Sequence, residues 1–220
     1  MAVSHQHQAI PPVDAPVVAR NRSAVWGVAL LAAVLVLAPA ILTTVRAGAG
    51  PFESLQRSYP GFAVAVLTAT GQSVASAAAM VTLGALLTLL FFRDARGRKE
   101  DRLSDVFELK ILKMGAAVWA SAAGAMVLFT ALDNNGQPFT QLQSPLAFRF
   151  LWEASSYPKA WTLTCLAALT VFFVGLIVER WSGLLIALWA TVLGVLAPIV
   201  VGQILVGPNH DLGSDAGVYQ

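Results

Sequence analysis

Residues 61–92 read GFAVAVLTATGQSVASAAAMVTLGALLTLLFF, 32 residues without one Asp, Glu, Lys or Arg. A hydrocarbon core about 30 Å thick is crossed by roughly 20 apolar residues in helical form. As one straight helix this run would be about 48 Å long at 1.5 Å per residue. It therefore crosses the bilayer with length to spare, and either tilts or begins outside the lipid. Its first half holds Thr68, Thr70, Gln72, Ser73 and Ser76, which suits a start near the headgroups; Thr70-Gly71-Gln72 is the place where it would break instead.

Four more uncharged runs lie on either side, at about residues 24–45, 114–132, 160–178 and 181–207. Charged residues bracket them: Arg22 and Arg46, Lys113 and Asp133, Lys159 and Glu179, and Arg180 before the last. Lipid offers no partner for backbone N–H and C=O groups, so each run must satisfy its own as a helix. Composition agrees. The 220 residues are 57% hydrophobic and only 12% charged, against about 25% charged in soluble domains. The sequence thus predicts an all-α, polytopic membrane bundle of about five transmembrane helices, with Pro39 and Pro198 kinking the first and last.

Ten of the 14 lysines and arginines fall on one side of the membrane if the N-terminus is cytoplasmic. The positive-inside rule then places residues 1–22 in the cytoplasm and 208–220 outside, in a multi-pass protein of the plasma (inner) membrane. Residues 1–22, with three prolines and little to bury, read as a disordered tail. The first run resembles a signal peptide, with Ala47-Gly48-Ala49 as a cleavage site, but its length exceeds the roughly 7–15 residues of an h-region. In the charged segment 93–113, Asp105 to Lys113 reads as a short amphipathic helix leading into the third span. The loop 133–159 carries Phe148, Phe150, Leu151 and Trp152, which suit a segment lying on the membrane surface. Trp161 and Trp181 stand at span ends, as aromatic-belt residues do. Ala116, Ala120 and Gly124 form a small-residue stripe for close helix packing, or less ordinarily for a dimer.

The three histidines, His5, His7 and His210, all lie outside the spans. Membrane-embedded haem takes axial ligands from helix side chains, so no haem is expected. No ionisable Asp, Glu, Lys or Arg lies within a span, which argues against a proton relay or an ion-coupled pump. Soft-ligand chemistry remains, because Cu(I) prefers thiolate and thioether sulfur with imidazole as a helper. Met80, Met114, Met126 and Cys165 lie in the spans. Met126 and Cys165 both fall roughly 8–9 Å below the outer surface by helix rise; Met80 is near mid-membrane. His210, in Gly207-Pro208-Asn209-His210-Asp211, follows the last span. A path from His210 past Met126 and Cys165 is conceivable. The plain alternatives are a turn at His210 and ordinary packing at Met126 and Cys165. His5 and His7 form a further, weaker metal pair.

The sequence resembles the membrane portion of actinobacterial fusion proteins that join a CopD-like copper-resistance region to a CtaG-like cytochrome c oxidase assembly region. The resemblance rests on Pro60-Gly61 opening a small-residue-rich span through Leu90 and a basic loop, on Ala-Ala-Val-Trp at 116–119, on Lys159-Ala160-Trp161, and on the last span running into Asn209-His210-Asp211-Leu212. It covers most of residues 24–215. It implies copper transport or resistance linked to oxidase assembly, with copper as the ion handled and His210, helped by Asp211, as an outer contact. Copper chaperones or oxidase assembly proteins would be partners, and nucleic acid would not. Gly202-Gln203 stands where such proteins often carry Gly-His. It also implies a longer protein, of which this chain would be the N-terminal part.

The resulting expectation is a non-enzymatic copper-handling membrane protein. The alternative is a scaffold that docks another membrane protein through the Ala116/Ala120/Gly124 stripe and the 93–113 loop. An enzyme using Asp133 or Glu153 in the 133–159 loop is the third reading, and nothing in the sequence pairs those carboxylates.

Overall fold

The computed structural model describes residues 22–54, 58–92, 106–178 and 181–204. The described residues are all-α. Helix α1 spans Arg22–Ala47, α2 Gly50–Ser54, α3 Phe62–Leu87, α4 Phe107–Asn134, α5 Pro145–Glu153, α6 Tyr157–Ile177 and α7 Trp181–Ile204. Five of them, α1, α3, α4, α6 and α7, are long and apolar enough to cross a membrane. The protein is a multi-pass membrane helix bundle.

Helix α3 runs unbroken through Thr70-Gly71-Gln72 and ends in one π-helical stretch, Thr88–Phe92. A break there would have left backbone groups without partners in lipid. Instead the helix absorbs its hydroxyls. Thr70 donates to the Val66 carbonyl at 2.7 Å, Ser73 to Ala69 at 2.8 Å and Thr82 to Ala78 at 2.7 Å. Thr130, Thr162, Thr170 and Thr191 likewise donate to the carbonyl four residues back. Such bonds let a polar residue sit in a span without an external partner.

Cross-helix contacts fix the topology. Gly71 of α3 meets Met126 of α4 and Thr82 meets Gly115; Gly124 meets Cys165 of α6 and Lys113 meets Gly175. On α7, Gly194 meets Ala167 and Gly183 meets Val178, which follows α6. Neighbours in sequence are therefore antiparallel and adjacent, as short connections favour. Glycine permits these close approaches, and van der Waals packing takes the place of hydrophobic drive between helices in lipid. Helix α1 lies against this four-helix unit through Ala32, Ala33, Val36 and Leu37, bordering an apolar groove with α3 and α4. Its large residues Val28, Leu30, Leu31 and Leu35 point outward.

Two sequence expectations change. Helix α4 begins at Phe107 and continues into the third span without interruption, so residues 107–113 are its first turns and not a separate surface helix. Leu109 and Leu112 are 1% and 0% exposed and belong to the main core, and that burial ties the segment to the bundle. Asp105 lies outside the described residues. Trp161 is only 5% exposed and packs into the same core, so it faces inward and not the lipid interface. The Trp181 side chain is outside the described set, as are residues 1–21 and 205–220.

The loop between α4 and α6 is built rather than loose. Gly136 adopts φ +60°, a left-handed conformation that a β-carbon disfavours, and a β-carbon there would collide with the Ser58 carbonyl. Ser144 caps α5, its hydroxyl accepting from the Ala147 N–H at 3.1 Å, with Pro145 at the first turn. Leu151 of α5 is buried with Val64, Ala131 and Leu132. Leu146 and Phe150 stay exposed, the disposition of a helix lying on the membrane surface.

Candidate functional site

Helices α3, α4, α6 and α7 pack in sequence order, but the seam between α3 and α7 stays open. A cleft of about 720 Å³ occupies it, with walls from all four helices. On the α3 wall, Thr68, Gln72, Ser76 and Met80 recur every four residues and form one stripe. From Thr68 to Met80 that stripe runs about 18 Å along the helix. Asp133 and Asn134 at the end of α4 and Tyr157 at the start of α6 form the polar end. Trp161, Thr130 and Thr68 lie about one turn deeper.

Trp119 lines the cleft about 21 Å along α4 from Asp133. Its ring reaches α7, where a β-carbon on Gly194 would stand 2.9 Å from it and 2.8 Å from the Ala167 Cβ. Gly194 is thus a required gap in α7. The same residue's carbonyl accepts a 2.8 Å hydrogen bond from Thr164 Oγ1, which also bonds Ala160 of its own helix. Those contacts pin α6, α7 and Trp119 together at one level. On the far side of Trp119 the core is closed by Leu86, Leu89, Leu109, Leu112, Val171 and Leu184.

Electrostatically the cleft is simple. Among the described lining residues Asp133 carries the one formal charge. The Asp133 backbone carbonyl also accepts from the Gly136 N–H at 3.1 Å, which fixes the turn that follows. Thr68 Oγ1 is buried and, unlike the hydroxyls bonded to their own helix, has no hydrogen-bond partner.

The structure does not bring the predicted sulfur ligands together. Met126 is fully buried with its thioether against Gly71 of α3, whereas Cys165 lies over Gly124 and donates to the Ala120 carbonyl at 3.5 Å. Residues 126 and 124 are about 200° apart around a helix, so the two sulfurs flank α4 on opposite sides. Met114 faces the apolar groove beside α1. Met80 alone among the span sulfurs lines the cleft. His210 and Asp211, like His5 and His7, lie outside the described residues. Among the described residues no three of His, Cys, Asp and Glu gather as a metal site. The Ala116/Ala120/Gly124 stripe is occupied within the chain: Ala116 is buried, and Ala120 and Gly124 meet Cys165. It is therefore not a free docking face. Glu153 pairs with Arg149 at 2.8 Å on α5, whereas Asp133 lies in the cleft wall.

The chain is similar to two mycobacterial proteins, each called an uncharacterized protein, from Mycobacterium bovis (strain ATCC BAA-935 / AF2122/97) and Mycobacterium tuberculosis (strain CDC 1551 / Oshkosh). Identity to each is 29% over 174 residues, covering 78% of this chain and 26% of the relative. A third such protein, from Mycobacterium leprae (strain TN), is 26% identical over 160 residues, covering 71% of this chain and 24% of the relative. The chain thus spans about a quarter of the length of the curated relatives it matches. No family model matches it, and no solved structure does so significantly.

Proposed function

We propose that this chain is a non-catalytic membrane protein of copper handling, located in the plasma membrane and linked to cytochrome c oxidase assembly. One observation carries the reading: a cleft with a carboxylate, Asp133, at one end and, further along its α3 wall, an exposed thioether, Met80. A carboxylate at the mouth raises the local concentration of cations, and a thioether at depth is a ligand that Cu(I) accepts and hard cations do not. Copper is cargo here and enters from the outer side. The positive-inside count supports that direction, because it puts Asp133 and Tyr157 outside. The last described turn of α7 ends on the same side, six residues before His210.

The similarity to mycobacterial proteins about four times the length of the matched segment supports the likeness to a long actinobacterial fusion. His210 and Asp211 act as the first copper contact and Met80 as the deep one. Met126 and Cys165 serve packing. The test is copper accumulation in cells expressing wild type, His210→Ala or Met80→Leu at equal membrane levels. Both variants lower accumulation several-fold. Unchanged accumulation in both sinks the copper reading.

A further inference from the structure

The hydroxyls of α3 divide in two. Those off the cleft, Thr70, Ser73 and Thr82, donate to the carbonyl four residues back. Those on the cleft wall do not. Thr68 Oγ1 is buried without a partner, and Ser76, which also lines the cleft, forms no hydrogen bond among the described residues. Gln72 lies one turn from each of them, and its carboxamide is likewise unpaired among the described residues. The three side chains cover about 12 Å of the α3 wall. An amide or hydroxyl held unpaired away from bulk water is costly, so three in one row call for a partner that this bundle does not supply.

The opposite wall is apolar. Gly194 of α7 stands level with Trp119, and the next turn of α7 brings Val195, Pro198 and Ile199 to the cleft. Pro198 has no N–H to give the Gly194 carbonyl, and Thr164 takes that carbonyl instead. Leu83 and Trp119 extend the apolar lining. Water entering here bonds on one side only, whereas a well-held water makes about three hydrogen bonds. A charged solute finds no counter-charge beside the stripe. Asp133 stands about two turns beyond Met126, which meets Gly71 next to Gln72. The volume of about 720 Å³ is that of a small-molecule site, roughly 300–1,000 Å³, and such sites set a few polar groups in a mainly apolar lining. Met80 and Ile199 at the seam are exposed, so the cleft is open at mid-span.

We infer that the middle of the cleft binds an uncharged amphiphile of the bilayer, its oxygen-bearing head hydrogen-bonded by Gln72 and Ser76 and its apolar body along Val195, Ile199 and Leu83. Membrane quinones and diacylglycerols share this chemistry. The inference goes beyond copper handling and does not depend on it.

Binding of tritiated probes to the purified full chain in lipid nanodiscs tests it, with empty nanodiscs as the measure of partition. The probes are decylubiquinone and dioctanoylglycerol, and unlabelled decylbenzene is the competitor without oxygens. At least one probe binds saturably, and which one does so tells the quinone source from the glyceride. Gln72→Leu weakens that binding by about ten-fold and Ser76→Ala by about three-fold, in variants as monodisperse as wild type. Decylbenzene competes at least about ten-fold more weakly than the unlabelled probe. No saturable binding of either probe overturns the inference. So does equal competition by decylbenzene, or wild-type affinity in a well-folded Gln72→Leu/Ser76→Ala double variant.

Discussion

The seam between α4 and α6 and the seam between α3 and α7 use similar materials to opposite ends. At the first, Ala120 and Gly124 bring the backbones close enough for Cys165 to reach a main-chain carbonyl. At the second, Thr68, Gln72, Ser76 and Met80 stand in a row along α3 and line a cleft. In lipid, helices associate only where surfaces fit. One seam is therefore structural and the other is available for a ligand, and the residue at each fourth position decides which.

The strongest way to break that contrast is at Gly194, where the closed core meets the open cleft. Gly194→Val drives a side chain into Ala167 and Trp119, and overpacking of this kind costs about 1–3 kcal/mol. The detergent-solubilised variant is expected to unfold well below wild type on heating, with Trp fluorescence as the readout. Thr164→Val is milder. It removes the bond to the Gly194 carbonyl, and interhelical hydrogen bonds in membranes average about 0.6 kcal/mol. Its effect is expected on the α6–α7 pair, readable as a small fall in melting temperature. Gly124→Ala is the smallest change. Its new β-carbon would lie 3.6 Å from Cys165 Sγ, an ordinary contact, so stability stays within about 0.5 kcal/mol of wild type. A large loss there would mean the α4–α6 seam is tighter than its geometry states.

The fold was legible in the sequence because lipid imposes one rule, and runs without charge about 20 residues long obey it visibly. The candidate site was legible only in part. Thr68, Gln72, Ser76 and Met80 carried a signal in their spacing of four, but read singly they suggested only a helix start outside the lipid. Asp133 belongs to α4 and Tyr157 and Trp161 to α6, and their meeting depends on the register between the two helices, which Gly124 against Cys165 sets. Trp161 shows the same limit: beside Lys159 it looks like an interface residue, and only tertiary packing turns it inward. Depth alone grouped Met126 with Cys165, whereas their angular positions around α4 separate them.

Water is expected to reach deep along the α3–α7 seam, where the cleft lies, and not along α4–α6. Cysteine labelling with a charged methanethiosulfonate reagent in intact membranes tests it directly, because Cys165 is the single native cysteine. In wild type, Cys165 stays unmodified. In a Cys165→Ala background, Ser76→Cys is modified rapidly. An unreactive thiol at position 76, or a native Cys165 that labels as fast, would contradict the account.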